Sequence, residues 1–326
     1  MQKSLTVIGA GAWGSALAII LSDKFDEIFL IDSDKENIKK LGKQHPVLSR
    51  PFPKNTRLSH NISSVAKSEC VLIAAPSYAF SDILENIKPH LNVDHHIAWA
   101  TKGFDSENEC FLHETFSKIL PTYKACIISG PTFATEIVEK KPAAIVVASK
   151  DKKTRDYWAN IIQTNTLRAY TNTDIIGVQV GGCVKNVLAI AAGVANGLGF
   201  GANTQAALIT RGLAEMTRLG VALGAEKLTF QGLSGMGDLV LTCSDDLSRN
   251  RRFGKELANN NSTDEALSNI GATVEGFNAL RLVIGIAKKH QIEMPICEQV
   301  LEVVEGRKTP TDAVNDLLLR KPNPEY

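Results

Sequence analysis

Leu5-Thr-Val-Ile-Gly9-Ala-Gly11-Ala-Trp-Gly14 is the stretch of sequence that decides the fold of this chain. An apolar run typical of a buried strand ends in the spacing G-x-G-x-x-G and leads into a helical pattern over residues 15–21. Glycines at these positions permit a tight turn and a close approach of backbone to a pyrophosphate, which a helix N-terminus favours electrostatically. The stretch predicts the first strand–turn–helix unit of a dinucleotide-binding Rossmann domain.

The segment after this turn supports the same interpretation. A second apolar run over residues 28–31 ends in Asp32, at the place where a ribose-binding acid stands in such domains. The alternative is a secretory signal, because Lys3 precedes a mostly apolar stretch that reaches Leu21. Glycines interrupt that stretch, no small-residue cleavage site follows, and charged residues at 23–27 lead directly into the next strand. The Rossmann interpretation is therefore favoured.

Composition narrows the class of protein. A chain of 326 residues, 44% hydrophobic and with net charge +1, can bury a sizeable core and predicts two domains. Near-neutrality argues against a nucleic-acid-binding protein, and no apolar run is expected to reach the length of a membrane span. The six cysteines are scattered without a C-x-x-C pair, as in reduced cytoplasmic proteins. We therefore expect a cytoplasmic protein.

Metal chemistry is not expected. The seven histidines show no ligand spacing, and they lie outside the polar motifs of the chain. The adjacent pair His95-His96 is predicted to lie in a turn.

The order of the remaining patterns predicts the domain organisation. Short apolar runs at 70–75, 97–100, 125–128 and 143–147 alternate with helical stretches, which predicts an α/β Rossmann-like domain over residues 1–175, with a parallel-rich sheet and helices on both faces. Helical periodicity then takes over at 187–196, 204–223, 277–289 and 298–305, which predicts an all-α domain for substrate and catalysis over residues 176–326. We expect a continuous helix at this boundary and a flexible patch at the glycine-rich residues 232–237.

Polar, turn-prone groups follow three of the predicted strands, at 76–77, 101–103 and 129–132. Ligands of open α/β sheets bind beyond the carboxyl ends of the strands. Lys102 is therefore either a solvated loop lysine or a substrate contact.

Two further polar groups stand out. Lys185 and Asn186 interrupt an apolar, helix-periodic run, where an unpaired buried charge would cost several kcal/mol. Lys185 either extends its ammonium to water along apolar surface or has a functional partner. Residues 238–252 are predicted to form a polar loop, whose arginines could be a helix surface, a nucleic-acid patch or a phosphate clamp. Because three arginine side chains cannot all bind one small phosphate, we assign phosphate binding to Arg249 and treat Arg251 and Arg252 as outer or structural residues.

Taken in order, seven motifs resemble those of the bacterial NAD(P)-dependent glycerol-3-phosphate dehydrogenase family. The resemblance runs from Thr6 to at least Pro295. The motifs are residues 9–14, 98–103, 128–134, 177–187, 208–216, 237–243 and 248–254.

The resemblance implies reversible hydride transfer between a nicotinamide and dihydroxyacetone phosphate or sn-glycerol 3-phosphate, for phospholipid synthesis. It implies Lys185 as the acid/base, with Lys102 and Asp238 completing the catalytic set. Substrate would bind at Lys102, Gly130, Thr132, Lys185, Asn186, Asp238, Thr242, Ser248, Arg249 and Asn250. Cofactor would bind at Gly9, Gly11, Ala12, Trp13, Gly14, Asp32, Lys102, Ala134, Arg249 and Glu275. A homodimer is also implied.

Cofactor choice is the one local departure from the family. Family members that use NADPH often carry arginine or other neutral-to-basic residues after the second strand, whereas this chain has Asp32-Ser-Asp34. A carboxylate there favours the ribose hydroxyls of NADH and repels a 2′-phosphate, although Lys35 could offset this. NAD(P)(H) is thus expected, with a modest preference for NADH. Two alternatives stay open: another dehydrogenase of this architecture, such as a hydroxyacid or ketopantoate reductase, and a redox-sensing nucleotide-binding protein without turnover.

Overall fold

The structure is a computed structural model that describes residues 3–42, 45–259 and 262–321. Contacts divide the chain into two compact units, Met1–Gln179 and Val180–Tyr326. The first unit is built on a sheet and the second on helices, as the sequence predicts. The assignment of separate nucleotide and substrate functions to residues 1–175 and 176–326 stays a prediction.

The first unit is an α/β structure. Its eight-stranded sheet has the order β10-β9-β8-β5-β4-β1-β2-β3, and β6 and β7 form a separate hairpin. The strands are β1 (Ser4–Ile8), β2 (Glu27–Ile31), β3 (Thr56–Ser59), β4 (Cys70–Ile73), β5 (His96–Trp99), β6 (Phe104–Asp105), β7 (Cys110–Phe111), β8 (Ala125–Ser129), β9 (Ala143–Ala148) and β10 (Leu167–Asn172). The helices are α1 (Ala12–Ile20), α2 (Lys35–Leu41), α3 (Phe80–Ile87), α4 (Leu112–Ile119), α5 (Ala134–Val138) and α6 (Lys152–Ile162).

The central strands are apolar because both faces of the sheet are covered. Every residue of β1 and β4 is buried, and the Cys-Val-Leu-Ile sequence of β4 is accordingly a continuous apolar run. In β1 the polar Ser4 and Thr6 alternate with apolar residues, and both hydroxyls form hydrogen bonds. The core of this unit is built from strand residues such as Leu5, Val7, Leu30 and Leu72, with Trp158 of α6 fully buried among them.

Two edge strands and one strand direction differ from the sequence-based expectation. The sequences of β3 and β10, Thr-Arg-Leu-Ser and Leu-Arg-Ala-Tyr-Thr-Asn, are too polar to give an apolar run, as is common for edge strands. Strand β9 pairs antiparallel with β8, so the sheet is mostly but not wholly parallel. The connection between them contains only the short helix α5, which packs on α1 instead of forming a long crossover over the sheet.

The second unit is helical throughout its described residues. Its helices are α7 (Ile175–Gly197), α8 (Ala202–Ala222), α9 (Asp238–Ser244), α10 (Arg249–Ala258), α11 (Thr263–Ile270), α12 (Glu275–Lys289), α13 (Pro295–Val304) and α14 (Pro310–Leu318), the first of which begins shortly before the unit boundary. The continuous helix expected at the boundary is thus present as α7. By length and composition α7 could cross a membrane, but 89% of its most apolar window is buried inside the protein. This corrects the expectation that no apolar run has that length: α7 does, and it is a buried core helix.

Three local expectations are wrong. The predicted loop at 238–252 is largely the two helices α9 and α10, joined by a short turn. The predicted flexible patch is a π-helical turn, Leu233–Gly237, in which Ser234 and Gly235 are buried. Polar and glycine-rich sequence predicts loops here, but the polar side chains Asp238, Thr242 and Asn250 of α9 and α10 form buried hydrogen bonds with Lys185 and Asn186 of α7. His96 begins β5 and stacks on Tyr157, so only part of the histidine pair lies near a turn.

Candidate active site

A buried ion pair lies in the helical unit. The Nζ atom of Lys185 donates to Oδ1 of Asp238 at 2.6 Å and to the hydroxyl of Thr242 at 2.8 Å. Lys185 is 6% exposed and Asp238 1% exposed. The lysine therefore does not extend its ammonium to water, and this alternative is ruled out. Since removing two charges from water is costly, the close pairing and the added hydroxyl are what make the arrangement tolerable.

The geometry of α9 explains how Asp238 and Thr242 meet one ammonium. The two residues are four apart, which places them on one face of a helix. The hydroxyl of Thr242 donates to the backbone carbonyl of Asp238 at 2.6 Å, so its oxygen lone pair is directed to Lys185. Gly181, one turn before Lys185 on α7, would clash with the carbonyl of Ser234 if it carried a Cβ. Glycine at 181 thus lets α7 approach the π-helical turn that leads into α9.

A chain of amides connects α7, α10 and α12 beside this pair. The Nδ2 atom of Asn250 donates to Oδ1 of Asn186 at 3.0 Å, and Nδ2 of Asn186 donates to Oε2 of Glu275 at 3.0 Å. The backbone N–H of Gly276 donates to Oδ1 of Asn250 at 2.8 Å. These contacts fix the orientation of both amides and hold the Glu275 carboxylate at the start of α12.

The N-terminus of α10 carries the remaining predicted substrate residues of this unit. The hydroxyl of Ser248 caps the helix by accepting from the backbone N–H of Arg251 at 3.2 Å. Arg249 is the first helical residue and is exposed, as is Arg252, whereas Arg251 is buried. The structure thus separates the arginines into two exposed side chains and one interior side chain.

The thiol of Cys243, next to Thr242 in the sequence, is not a reactive group. Burial raises the pKa of the Cys243 thiol, next to Thr242, to about 12. Cys243 is therefore a protonated core residue and not a nucleophile at neutral pH. Across the described residues no group of three or more His, Cys, Asp or Glu side chains is arranged to hold a metal ion.

In the sheet unit, the glycine turn after β1 fits a dinucleotide pyrophosphate. Gly9 has a φ of +107°, and a Cβ there would lie 2.8 Å from the backbone of Ala74. A Cβ at Gly14 would clash with the carbonyl of Gly9, so these two glycines serve the turn and the packing. A Cβ at Gly11 would meet nothing within 4 Å, which leaves open space over the backbone where phosphates can approach. Ala12 and Trp13 open α1 directly behind this turn.

Asp32 is held in place by the turn itself. Its Oδ2 atom accepts from the backbone N–H of Ala10 at 3.2 Å and from Nδ2 of Asn37 at 2.9 Å, and its Oδ1 atom accepts from the N–H of Asp34 at 3.0 Å. A carboxylate can accept about four hydrogen bonds, so capacity remains for a ribose hydroxyl. The role of Asn37 was not identified from sequence, since an asparagine in the first turns of a charged helix gives no signal of its own.

The other predicted residues of this unit follow the carboxyl ends of β5 and β8. Strand β8 pairs parallel with β5, β5 pairs parallel with β4, and β4 pairs parallel with β1. The carboxyl ends of β5 and β8 therefore lie at the same edge of the sheet as the glycine turn that follows β1. Lys102 is half-buried just beyond β5, and Gly130, with a φ of +146°, follows β8. The hydroxyl of Thr132 donates to the carbonyl of Gly130 at 3.3 Å, and Ala134 begins α5.

Comparison with known proteins gives a consistent result. Two family profiles match, described as the N-terminus and the C-terminus of NAD-dependent glycerol-3-phosphate dehydrogenase, over residues 4–155 and 174–315. The chain is 59% identical over 321 residues to the glycerol-3-phosphate dehydrogenase [NAD(P)+] of Ruthia magnifica, covering 98% of this chain and 99% of that one. It is 44% identical to the protein of the same name from Pectobacterium carotovorum, covering 98% and 96% of the two chains. The crystal structure of glycerol-3-phosphate dehydrogenase from Coxiella burnetii superposes with a TM-score of 0.93 at 37% identity, covering 98% and 99%.

Proposed function

The chain belongs to the NAD-dependent glycerol-3-phosphate dehydrogenase family, and from this premise we propose that Lys185, Asp238 and Thr242 form its acid–base centre. The protein is an NAD(P)-dependent oxidoreductase that interconverts dihydroxyacetone phosphate and sn-glycerol 3-phosphate. The observation that carries the proposal is the buried lysine, bonded to a carboxylate at 2.6 Å and a hydroxyl at 2.8 Å.

The chemistry of the reaction explains why a buried ammonium is useful. When bound, NAD(P)H supplies the hydride that converts the ketone to an alcohol. Negative charge then develops on the former carbonyl oxygen, and a positioned cation stabilises the transition state more than the ground state. Lys185 both stabilises this oxygen and donates the proton to it. Asp238 and Thr242 hold the Lys185 ammonium through their oxygens, so that little reorganisation is needed during the reaction.

Arg249 and the N-terminus of α10 suit the phosphate of the substrate. A guanidinium offers several donors in a plane that matches phosphate oxygens, and the helix N-terminus adds favourable electrostatics. Ser248 and Asn250 flank Arg249, and Asn250 is held by Asn186 and Gly276. We assign substrate contacts to this set together with Gly130, Thr132 and Lys102.

The cofactor residues follow the same reasoning. Gly9, Gly11 and Gly14 shape the turn for the pyrophosphate, with Ala12 and Trp13 at the start of α1. Lys102, Ala134, Arg249 and Glu275 complete the proposed cofactor set. Asp32 supports a preference for NADH, because its carboxylate keeps acceptor capacity and is held in place by Ala10, Asp34 and Asn37.

We also propose that the enzyme is a cytoplasmic homodimer that supplies the glycerol backbone of phospholipids. Family membership supports these three statements. Light scattering coupled to size exclusion would measure the assembly.

A direct assay tests the proposed activity. Oxidation of NADH and of NADPH is followed by absorbance with dihydroxyacetone phosphate and, as the matched control, with unphosphorylated dihydroxyacetone. We expect rapid oxidation with the phosphorylated ketone and a much lower kcat/KM with the other. Equal rates with the two ketones would contradict the assignment of a phosphate-binding group.

A further inference from the structure

Arg251 has a buried side chain, as Lys185 does, and this sets it apart from the two neighbouring arginines of its helix. It is 6% exposed, whereas Arg249 and Arg252 on the same helix are exposed. Its guanidinium pairs with the carboxylate of Asp246, which lies in the turn between α9 and α10. Within the described part of the chain its buried Nε atom has no hydrogen-bond partner. An ion pair whose carboxylate is half-exposed adds little to stability, and the unsatisfied buried donor on the arginine costs free energy, so stability alone does not explain an arginine at this position.

The contacts of Arg251 converge on the turn that precedes Arg249. Asp246 is held by two cations one helical turn apart, Arg251 and Lys255, the latter at 2.7 Å. The backbone N–H of Arg251 also donates to the capping hydroxyl of Ser248 at 3.2 Å. Within the turn, the N–H of Leu247 donates to the Asp245 carboxylate at 2.7 Å. The same arginine thus restrains the turn through its side chain and its main chain.

The backbone of Arg251 is itself fixed against α7. A Cβ at Gly193 of α7 would clash with the carbonyl of Arg251, and a Cβ at Gly254 of α10 would clash with the carbonyl of Ile190. The two helices therefore touch backbone to backbone at this level. Because α7 also carries Lys185 and Asn186, the backbone contact with α7 fixes the position of Arg251 relative to Lys185, the proposed acid.

We propose that Arg251 is a positioning residue for substrate specificity: through Asp246 and Ser248 it fixes the turn that presents Arg249 to the substrate phosphate. This inference rests on the proposed role of Arg249. Arg251 acts on affinity for the phosphate and not on the proton transfer at Lys185, so its loss raises KM with little change in kcat.

The test compares variants that remove the pair from either side. Arg251→Met removes the guanidinium, and Asp246→Asn removes its partner from a half-exposed position where the risk to folding is small. Arg252→Ala is the matched control, since it removes an exposed arginine from the same helical turn. Each variant is assayed with dihydroxyacetone phosphate and with unphosphorylated dihydroxyacetone, and NADH binding is measured by fluorescence titration as a check of the other unit.

For Arg251→Met and Asp246→Asn we expect KM for dihydroxyacetone phosphate to rise roughly 10–100-fold with kcat within about threefold. The double variant should be no worse than either single variant, because both changes break one pair. The kcat/KM for dihydroxyacetone and the affinity for NADH should be the same as in the control variant Arg252→Ala. Additive losses, or equal losses with both ketones, would overturn the positioning role.

If Arg251→Met does not fold, Asp246→Asn alone decides, and an unchanged KM in that variant overturns the proposal. A wild-type enzyme that does not favour the phosphorylated ketone would instead refute the proposed role of Arg249.

Discussion

The ammonium of Lys185 and the carboxylate of Asp238 meet at 2.6 Å in the interior of the helical unit, where both side chains are almost completely buried. A buried ion pair is not needed for stability, because well-packed apolar residues of similar size often stabilise a protein equally well or better. Its presence together with the Thr242 hydroxyl, next in sequence to the buried amide Asn186, fits a catalytic use.

Lys185→Met should lower kcat by roughly 10²–10⁴-fold, the usual loss for a positioned acid/base. Methionine fills similar space, so the fold and NADH binding should survive, although the melting temperature should fall because the buried Asp238 carboxylate loses its partner. Thermal unfolding and fluorescence titration measure the two properties. Near-normal turnover at neutral pH would remove Lys185 from the mechanism.

Arg249→Ala should weaken the enzyme chiefly toward the phosphorylated substrate. Loss of a charge-assisted contact costs about 1.5–3 kcal/mol, or roughly 10–150-fold in kcat/KM. Arg249 is exposed, so its removal should leave folding unaffected, and dihydroxyacetone without phosphate provides the internal control. The same loss with both ketones would indicate a structural role or one in cofactor binding.

Asp32→Ser should raise the use of NADPH relative to NADH. The change removes an acceptor for the ribose 2′-hydroxyl and a charge that repels a 2′-phosphate. Because Asp32 also accepts from Ala10 in the glycine turn, some affinity for both cofactors should be lost. Asn37→Ala is a useful comparison, since it removes one donor to Asp32 and leaves the charge.

The measurement for Asp32 is kcat/KM for both cofactors at low and at roughly 0.1 M salt, where an exposed charge is screened over about 10 Å. Part of the preference should fade at the higher salt. A wild-type enzyme that already favours NADPH several-fold, and does so equally after substitution, would show that Asp32 does not select the cofactor.

Glu215 should make stability depend on pH. This buried side chain of α8 accepts from the backbone N–H groups of Ile296 and Cys297 at the start of α13, at 2.7 and 3.3 Å. Burial raises the pKa of Glu215 to about 7 despite these donors, from an ordinary value near 4.5. A folded pKa above the unfolded one means a contribution that is complete below pH 4.5 and lost as pH rises through about 7.

The part of that contribution that is lost between pH 5 and pH 8 is on the order of 2–3 kcal/mol. Urea unfolding at pH 5 and pH 8 measures it, with Glu215→Gln as the variant that cannot titrate. The difference between wild type and variant should shift in favour of the wild type at the lower pH. A constant difference at the two pH values would show that Glu215 keeps the same protonation state throughout.

How far the sequence predicts this structure depends on the range of the interactions involved. The glycine turn and the central strands are set by local pattern and by burial on both faces, so β1, β2 and β4 are evident from sequence. The polar segment at 238–252 is not evident, because its helices are stabilised by partners distant in sequence, such as Lys185 for Asp238 and Asn186 for Asn250. The two adjacent arginines Arg251 and Arg252 also look alike in sequence, since only the tertiary structure buries one side chain and exposes the other.

The backbone contact of α7 with α10 at Gly193 and Gly254 also limits how this enzyme can be made thermostable. Replacing helical glycines by alanine is a common route to higher stability, because alanine restricts the unfolded chain. At these two positions the added methyl group would force the helices apart and move the turn before Arg249 relative to Lys185. Gly285 of α12 is exposed and its Cβ would meet nothing within 4 Å, so Gly285→Ala should raise the free energy of unfolding by about 0.5–1 kcal/mol in urea titrations. Gly193→Ala, the buried counterpart, should lower both stability and activity, so a gain there would mean that the two helices can separate without cost.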